Sequence, residues 1–93
     1  MLFRSKHLGE VQNRREMVDA LGDIGDPAAR EALIERLHGD EYVPVRVQAA
    51  KALAKLGDRS VVPALESVIQ KDTEPTVIAA AREAAAALSS RAQ

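Results

Sequence analysis

An all-α fold, a right-handed α-solenoid of antiparallel helix pairs, is predicted by three features of this 93-residue chain. The first is an internal repeat. Residues 11–26 return as 43–58, a spacing of 32 set by Gly25-Asp26 against Gly57-Asp58, which also pairs Val11/Val43, Arg14/Arg46, Ala20/Ala52, Leu21/Leu53 and Ile24/Leu56. The lettering fades into a third copy through Val77, Ala81, Ala84 and Leu88, so about two and a half units are written out. A period of this size marks a supersecondary unit that cannot bury its apolar face alone and stacks on its neighbours. The second feature is composition: 46% of residues are apolar but only Phe3 and Tyr42 are aromatic, so the core must be built from Leu, Val, Ile and Ala, with helices in close approach. The third is the punctuation of the chain by Pro, Gly and Asp at helix ends.

The punctuation predicts five helices in order. The first runs from about Glu10 to Gly22, after residues 1–9, which are expected as a disordered N-terminal arm or a helix stub whose Leu2 and Phe3 cover the first unit. Residues 10–93 form the repeat domain. Asp26-Pro27 sets a side-chain acceptor at the N-cap and a residue without an N–H at the first helical position, so the second helix starts at Pro27. Ala29, Ala32, Leu33 and Leu37 recur along it at helical spacing, and His38-Gly39-Asp40 is expected to end it, with Gly39 at positive φ and His38 as a favourable C-terminal cation. The third helix starts near Pro44 and carries Val45, Ala49, Ala52, Leu53 and Leu56 to Gly57. Asp58 then caps a fourth helix with Pro63 in its first turn and a stripe of Val61, Ala64, Leu65, Val68 and Ile69. The fifth runs from Pro75 to about Ser89. Short connections force neighbours antiparallel, and the order leaves the first helix without a full partner on one side.

A net charge of −1 with acids and bases mixed gives no electrostatic reason to expect nucleic acid as a partner. No apolar run approaches the roughly 18 residues of a membrane span. The absence of cysteine excludes disulfides and fits a reducing compartment, so a cytoplasmic location is expected.

The run Gly25-Asp26-Pro27-Ala28-Ala29-Arg30-Glu31-Ala32-Leu33-Ile34-Glu35-Arg36-Leu37, followed by an acidic loop and Val43-Pro44-Val45-Arg46-Val47-Gln48-Ala49-Ala50-Lys51-Ala52-Leu53-Ala54-Lys55-Leu56-Gly57-Asp58, resembles a HEAT repeat of the short bacterial and archaeal type also found in phycobilisome lyase-like proteins. The resemblance covers residues 11–90 and is most specific over Val45–Asp58; the last copy departs from it, with Ile78 where Arg46 stands and Ala85 where Leu53 stands. It implies a scaffold or adaptor whose second helices line a concave side. Some members of the family attach bilins or hydroxylate lysine derivatives, so the fold does not settle the function.

Opposite the core stripe, the second-type helices carry Val47, Ala50, Lys51 and Ala54, with Arg15, Val18, Asp19 and Gly22 at equivalent places in the first unit and Ala79, Arg82, Glu83 and Ala86 in the last. Val18, Val47, Ala50, Ala54, Ala79 and Ala86 are expected to floor a shallow groove suited to a partner helix or extended peptide. Arg15, Asp19, Lys51, Arg82 and Glu83 are its candidate polar contacts. Asp19, Lys51 and Glu83 alternate in sign from unit to unit, as do Asp23 and Lys55, which predicts a cross-unit ladder of charges. Arg14 and Arg46 are expected to reach an acidic side chain or loop carbonyl of a neighbouring unit.

Catalysis is not expected. His7 and His38 stand alone, without the second histidine or the His-Glu pair of a metal set, and Ser5, Ser60, Ser67, Ser89 and Ser90 have no adjacent base or glycine-rich elbow. The sequence therefore predicts a non-enzymatic adaptor without cofactor or metal, binding a protein partner and open to self-association through its end helices. The alternative is an accessory binding subunit of a modifying or bilin-handling enzyme.

Overall fold

The computed structural model describes the backbone of residues 2–90 and the side chains of residues 9–90. Five helices follow one another: α1 (Leu2–Ile24), α2 (Pro27–Gly39), α3 (Val43–Leu56), α4 (Val62–Lys71) and α5 (Pro75–Ser90), with a 3₁₀ turn, Arg59–Val61, leading into α4. The chain is an all-α solenoid. Helices α1, α3 and α5 stand side by side in one layer, and α2 and α4 form the second, packed on α3 and α5 while touching each other only slightly.

Local chemistry sets most of the boundaries where the sequence places them. The Asp26 carboxylate accepts from the Ala28 N–H at 2.8 Å, with Pro27 as the first helical residue. Asp58 accepts from the Ser60 N–H at 2.9 Å. The intervening glycines at equivalent positions, Gly25 and Gly57, both take φ of 72°, the left-handed conformation that lets a helix end and the chain reverse.

Three boundaries differ. α1 starts at Leu2, eight residues before the expected Glu10, because no proline or capping side chain marks a start around Leu8-Gly9-Glu10 and extending an existing helix is easy. Met1 and the side chains of Leu2 and Phe3 lie outside the described residues, so a cover over the first unit does too. Gly39 is not at positive φ; it is the last residue of α2, and Asp40, with extended backbone, ends the helix by giving its N–H to the Arg36 carbonyl. The fourth helix opens as a tight turn, since Pro63 has no N–H for a regular first bond. His38 does serve the helix end, its Nδ1 N–H donating to the Ile34 carbonyl at 3.1 Å.

The core is one cluster. Val45, Ala49, Ala52 and Leu53 of α3 are fully buried, together with Leu33 and Leu37 of α2, Val61, Leu65 and Val68 of the second hairpin's outer half, and Val77, Ala81, Ala84 and Leu88 of α5. Helices whose facing side chains are methyl groups approach closely. At the α1–α3 seam Gly22 lies directly on Ala52, and a Cβ built there would be 2.8 Å from the Ala52 Cβ.

Charged side chains tie the units at the loop edge, in register with the repeat. Arg14 reaches Asp40 at 3.4 Å, and Arg46, 32 residues on, reaches Asp72 at 3.1 Å and the Asp40 carbonyl at 2.8 Å. Each aspartate also accepts a backbone N–H at 2.9 Å, Asp40 from Tyr42 and Asp72 from Glu74, so one carboxylate shapes its loop and holds the arginine. The Arg14 guanidinium also lies 5.0 Å from the centre of the Tyr42 ring. Burial raises the Tyr42 pKa above its usual value, helped by Glu10 and Glu41.

A second tie joins α2 to the next cap, where Arg30 donates to Asp58 at 2.6 Å and to the Ser60 hydroxyl at 3.3 Å. Bonds from Ser60, first, and then from Arg30 hold the Asp58 carboxyl at about 2, below its ordinary 3.8. A depressed carboxyl stabilises the fold above its unfolded pKa and loses that contribution as pH falls through the folded one. Thermal melts of Asp58→Asn and the parent chain are therefore expected to differ at neutral pH and to converge between pH 3.8 and about 2. A difference that stays constant over that window would refute the tie.

Candidate interaction surface

The face of α1, α3 and α5 turned away from α2 and α4 carries two openings, each at a seam between second-type helices. Between α1 and α3 lies an open hollow of about 420 Å³ lined by Gln12, Arg15, Glu16, Asp19 and Gln48. Between α3 and α5 is a smaller groove of about 220 Å³, lined by Lys51, Ala54, Ala80, Glu83, Ala84 and Ala87. The first is polar throughout. The second has a floor of methyl groups with one cation and one anion on its walls.

Of the candidate residues, Arg15, Lys51, Arg82 and Glu83 are exposed, and Asp19, Val47 and Ala54 are half-buried, on or beside this face. Val18 and Ala50 do not belong to it. Both are fully buried, because a helix inside a stacked row has neighbours on its flank as well as beneath it. The flank facing the next unit is the one these two residues occupy, so they seal the α1–α3 and α3–α5 seams where a groove floor was expected. Gly22, assigned to the same row, is buried on Ala52.

Of the expected ladder of charges, the Asp23–Lys55 rung forms and the Asp19–Lys51 rung does not. Lys55, not Lys51, spans the first seam, with Nζ 2.8 Å from both Asp19 and Asp23, while Gln48 donates to Asp19 at 3.2 Å. Hydrogen bonds from Asp19, then Asp23, raise the Lys55 pKa. Lys51 and Glu83 face the alanine groove and make no ion pair among the described residues. Gln12, Glu16 and Gln48 line the first hollow and were not among the sequence candidates. Rotating the inferred face toward Gln48, by the angle that puts Ala50 on a seam, would have found them.

An all-α array of this kind, two layers deep with one layer lining a continuous open face, defines a helical-repeat protein. The HEAT repeat family model matches residues 7–86, and the chain belongs to that family. It is also similar to the phycocyanobilin lyase subunit alpha of Picosynechococcus sp., with 45% identity over 56 residues, 60% of this chain. The match covers 20% of that relative, so the chain corresponds to about a fifth of its length. No helix among the described residues is long and apolar enough to cross a membrane.

Proposed function

We infer that this chain is a non-enzymatic binding module, an adaptor that holds a helix or extended segment of a partner protein against the open face of α1, α3 and α5. The observation that carries the reading is the alanine groove. Its walls offer Lys51 and Glu83, exposed charges of opposite sign without ion pairs among the described residues, above a floor that side chains of a guest can enter. Arg15 extends the polar rim over the first seam. Such a surface provides apolar and charge contacts for a peptide better than enclosure for a small molecule. The reading places the protein in the cytoplasm, with which its cysteine-free composition agrees.

Arg15→Glu combined with Lys51→Glu is expected to lower partner capture from native cells at least tenfold while leaving helicity and melting nearly unchanged, since both side chains are exposed. Undiminished capture by this folded variant would remove the open face from the reading. Val47 is unsuited to the test because it packs partly on the core.

The similarity to a lyase subunit favours a second reading, in which the chain supplies the binding arm of a bilin-handling or other modifying enzyme. Titration with phycocyanobilin separates the two: a saturable shift of the visible absorption band belongs to the accessory subunit, an unperturbed spectrum to the adaptor.

A further inference from the structure

We propose that the outer face of α1 is a second docking site, beside the open face and sharing Glu16 with it, and that it takes a three-turn amphipathic helix with basic margins from another polypeptide, laid along α1. The seat is defined by the repeat itself. Asn13, Met17, Ala20, Leu21 and Ile24 of α1 correspond to Val45, Ala49, Ala52, Leu53 and Leu56 of α3, and to Val77, Ala81, Ala84, Ala85 and Leu88 of α5. In α3 the first four are fully buried, and in α5 Val77, Ala81, Ala84 and Leu88 are at most 1% exposed. In α1 Met17 is 49% and Ile24 63% exposed, the two large exposed apolar side chains of the described residues, with Ala20 exposed between them and Asn13 exposed one turn before Met17.

What covers the stripe in the other two units identifies what fits here. On α3 it is α2, with Gly22 of α1 over Ala52, and on α5 it is α4; α2 and α4 are helices of 13 and 10 residues joined to their mates by three-residue connections that force an antiparallel course. Each brings leucine or valine three or four residues apart, Leu33 and Leu37 in one case, Leu65 and Val68 in the other. The α1 stripe is continuous with this interface, since Val11 and Leu21 on its inner margin already pack against the core.

Two departures from the template give the occupant its chemistry. Glu10, Glu16 and Asp23 stand at the margins where α3 has Tyr42, Gln48 and Lys55. Glu10 is met by Arg14 and Asp23 by Lys55, but among the described residues Glu16 has only the Gln12 amide, at 3.4 Å. A partner helix therefore carries lysine or arginine at its edges. A second copy of α1 would instead set one acidic margin against another, which disfavours a symmetric dimer through this face. Asn13, in place of Val45, must keep a hydrogen bond once covered, so the occupant presents one polar side chain there and the register is set.

The probe is a fluorescently labelled synthetic helix of about 14 residues with leucine and alanine along one stripe, lysines at both margins and one glutamine opposite Asn13. A control peptide has glutamates in place of the lysines. Binding to the full chain at low salt is expected to be saturable, at least tenfold tighter for the lysine peptide, and weakened at least tenfold by Met17→Glu and by Ile24→Glu, each with unchanged helicity. Lys51→Glu, on the open face, is expected to leave it unchanged, so failure here and failure of the adaptor reading are separate results. No saturable binding, no preference for the lysine peptide, or undiminished binding by both folded variants would overturn the proposal. So would a dimer in sedimentation velocity that Met17→Glu dissociates, because the seat would then belong to a second copy.

Discussion

Replacing Asp40 by alanine is expected to destabilise the fold by about 3 kcal/mol, read as a shift of the urea midpoint at neutral pH without a change of slope. The Asp40 side chain has no exposed surface, yet it accepts from Arg14, from Arg36 at 3.2 Å and from the Tyr42 N–H. Its removal leaves two guanidiniums and a backbone donor around a space that formerly held their shared acceptor. Arg14 and Arg36 are themselves 27% and 40% exposed, so water recovers part of their loss. The Tyr42 N–H, at the start of α3, recovers less, and the loop that turns α2 into α3 loses its shape. Asp40→Asn keeps an acceptor for that N–H and is expected to lose about half as much. Equal losses for the two variants would show that charge alone matters.

Gly22→Val is expected to lose about 3 kcal/mol, near the upper end for overpacked interfaces. The obstacle is backbone as well as side chain: an added Cβ would meet the Ala52 Cβ at 2.8 Å, its Cα at 3.0 Å and its carbonyl oxygen at 3.1 Å. No rotamer relieves that contact, so α1 must move off α3, the most extensive interface in the molecule. The helix propensity gained by replacing glycine offsets less than about 1 kcal/mol of this. Gly39→Ala is the control: a Cβ there meets nothing within 4 Å, and the substitution is expected to leave stability equal or slightly improved. For a domain of this size each kcal/mol corresponds to roughly 4–8 °C in melting temperature, so the contrast is visible in a simple melt.

Much of the architecture is readable in the letters because repeats state the same physics twice. Gly25-Asp26 and Gly57-Asp58 mark the same turn, and the pairing of Arg14 with Arg46 points to ties that the structure places on Asp40 and Asp72. The residues that mislead are those whose environment depends on a third helix. Val18 and Ala50 lie off the core stripe of their own helix pair, and only the stacking of the next second-type helix buries them. Lys55 exceeds Lys51 in reach across the seam for the same reason: the flank, not the crest, of α3 faces Asp19. The length of α1 was hidden because nothing in Leu2–Gly9 either starts or stops a helix. The candidate surface was legible as a face and as a set of charges, and its rotation about the helix axes was not.

The ties described between units, Arg14 to Asp40, Arg46 to Asp72, Arg30 to Asp58 and Lys55 to Asp19, link residues 26 to 36 positions apart. Each closure therefore spans about one repeat, and because closure entropy grows only slowly with loop length, no tie costs much more than another. Refolding from denaturant should accordingly be rapid, on the microsecond to millisecond scale of locally connected helical domains. Its nucleus is free to arise in either hairpin and spread by zippering along the row.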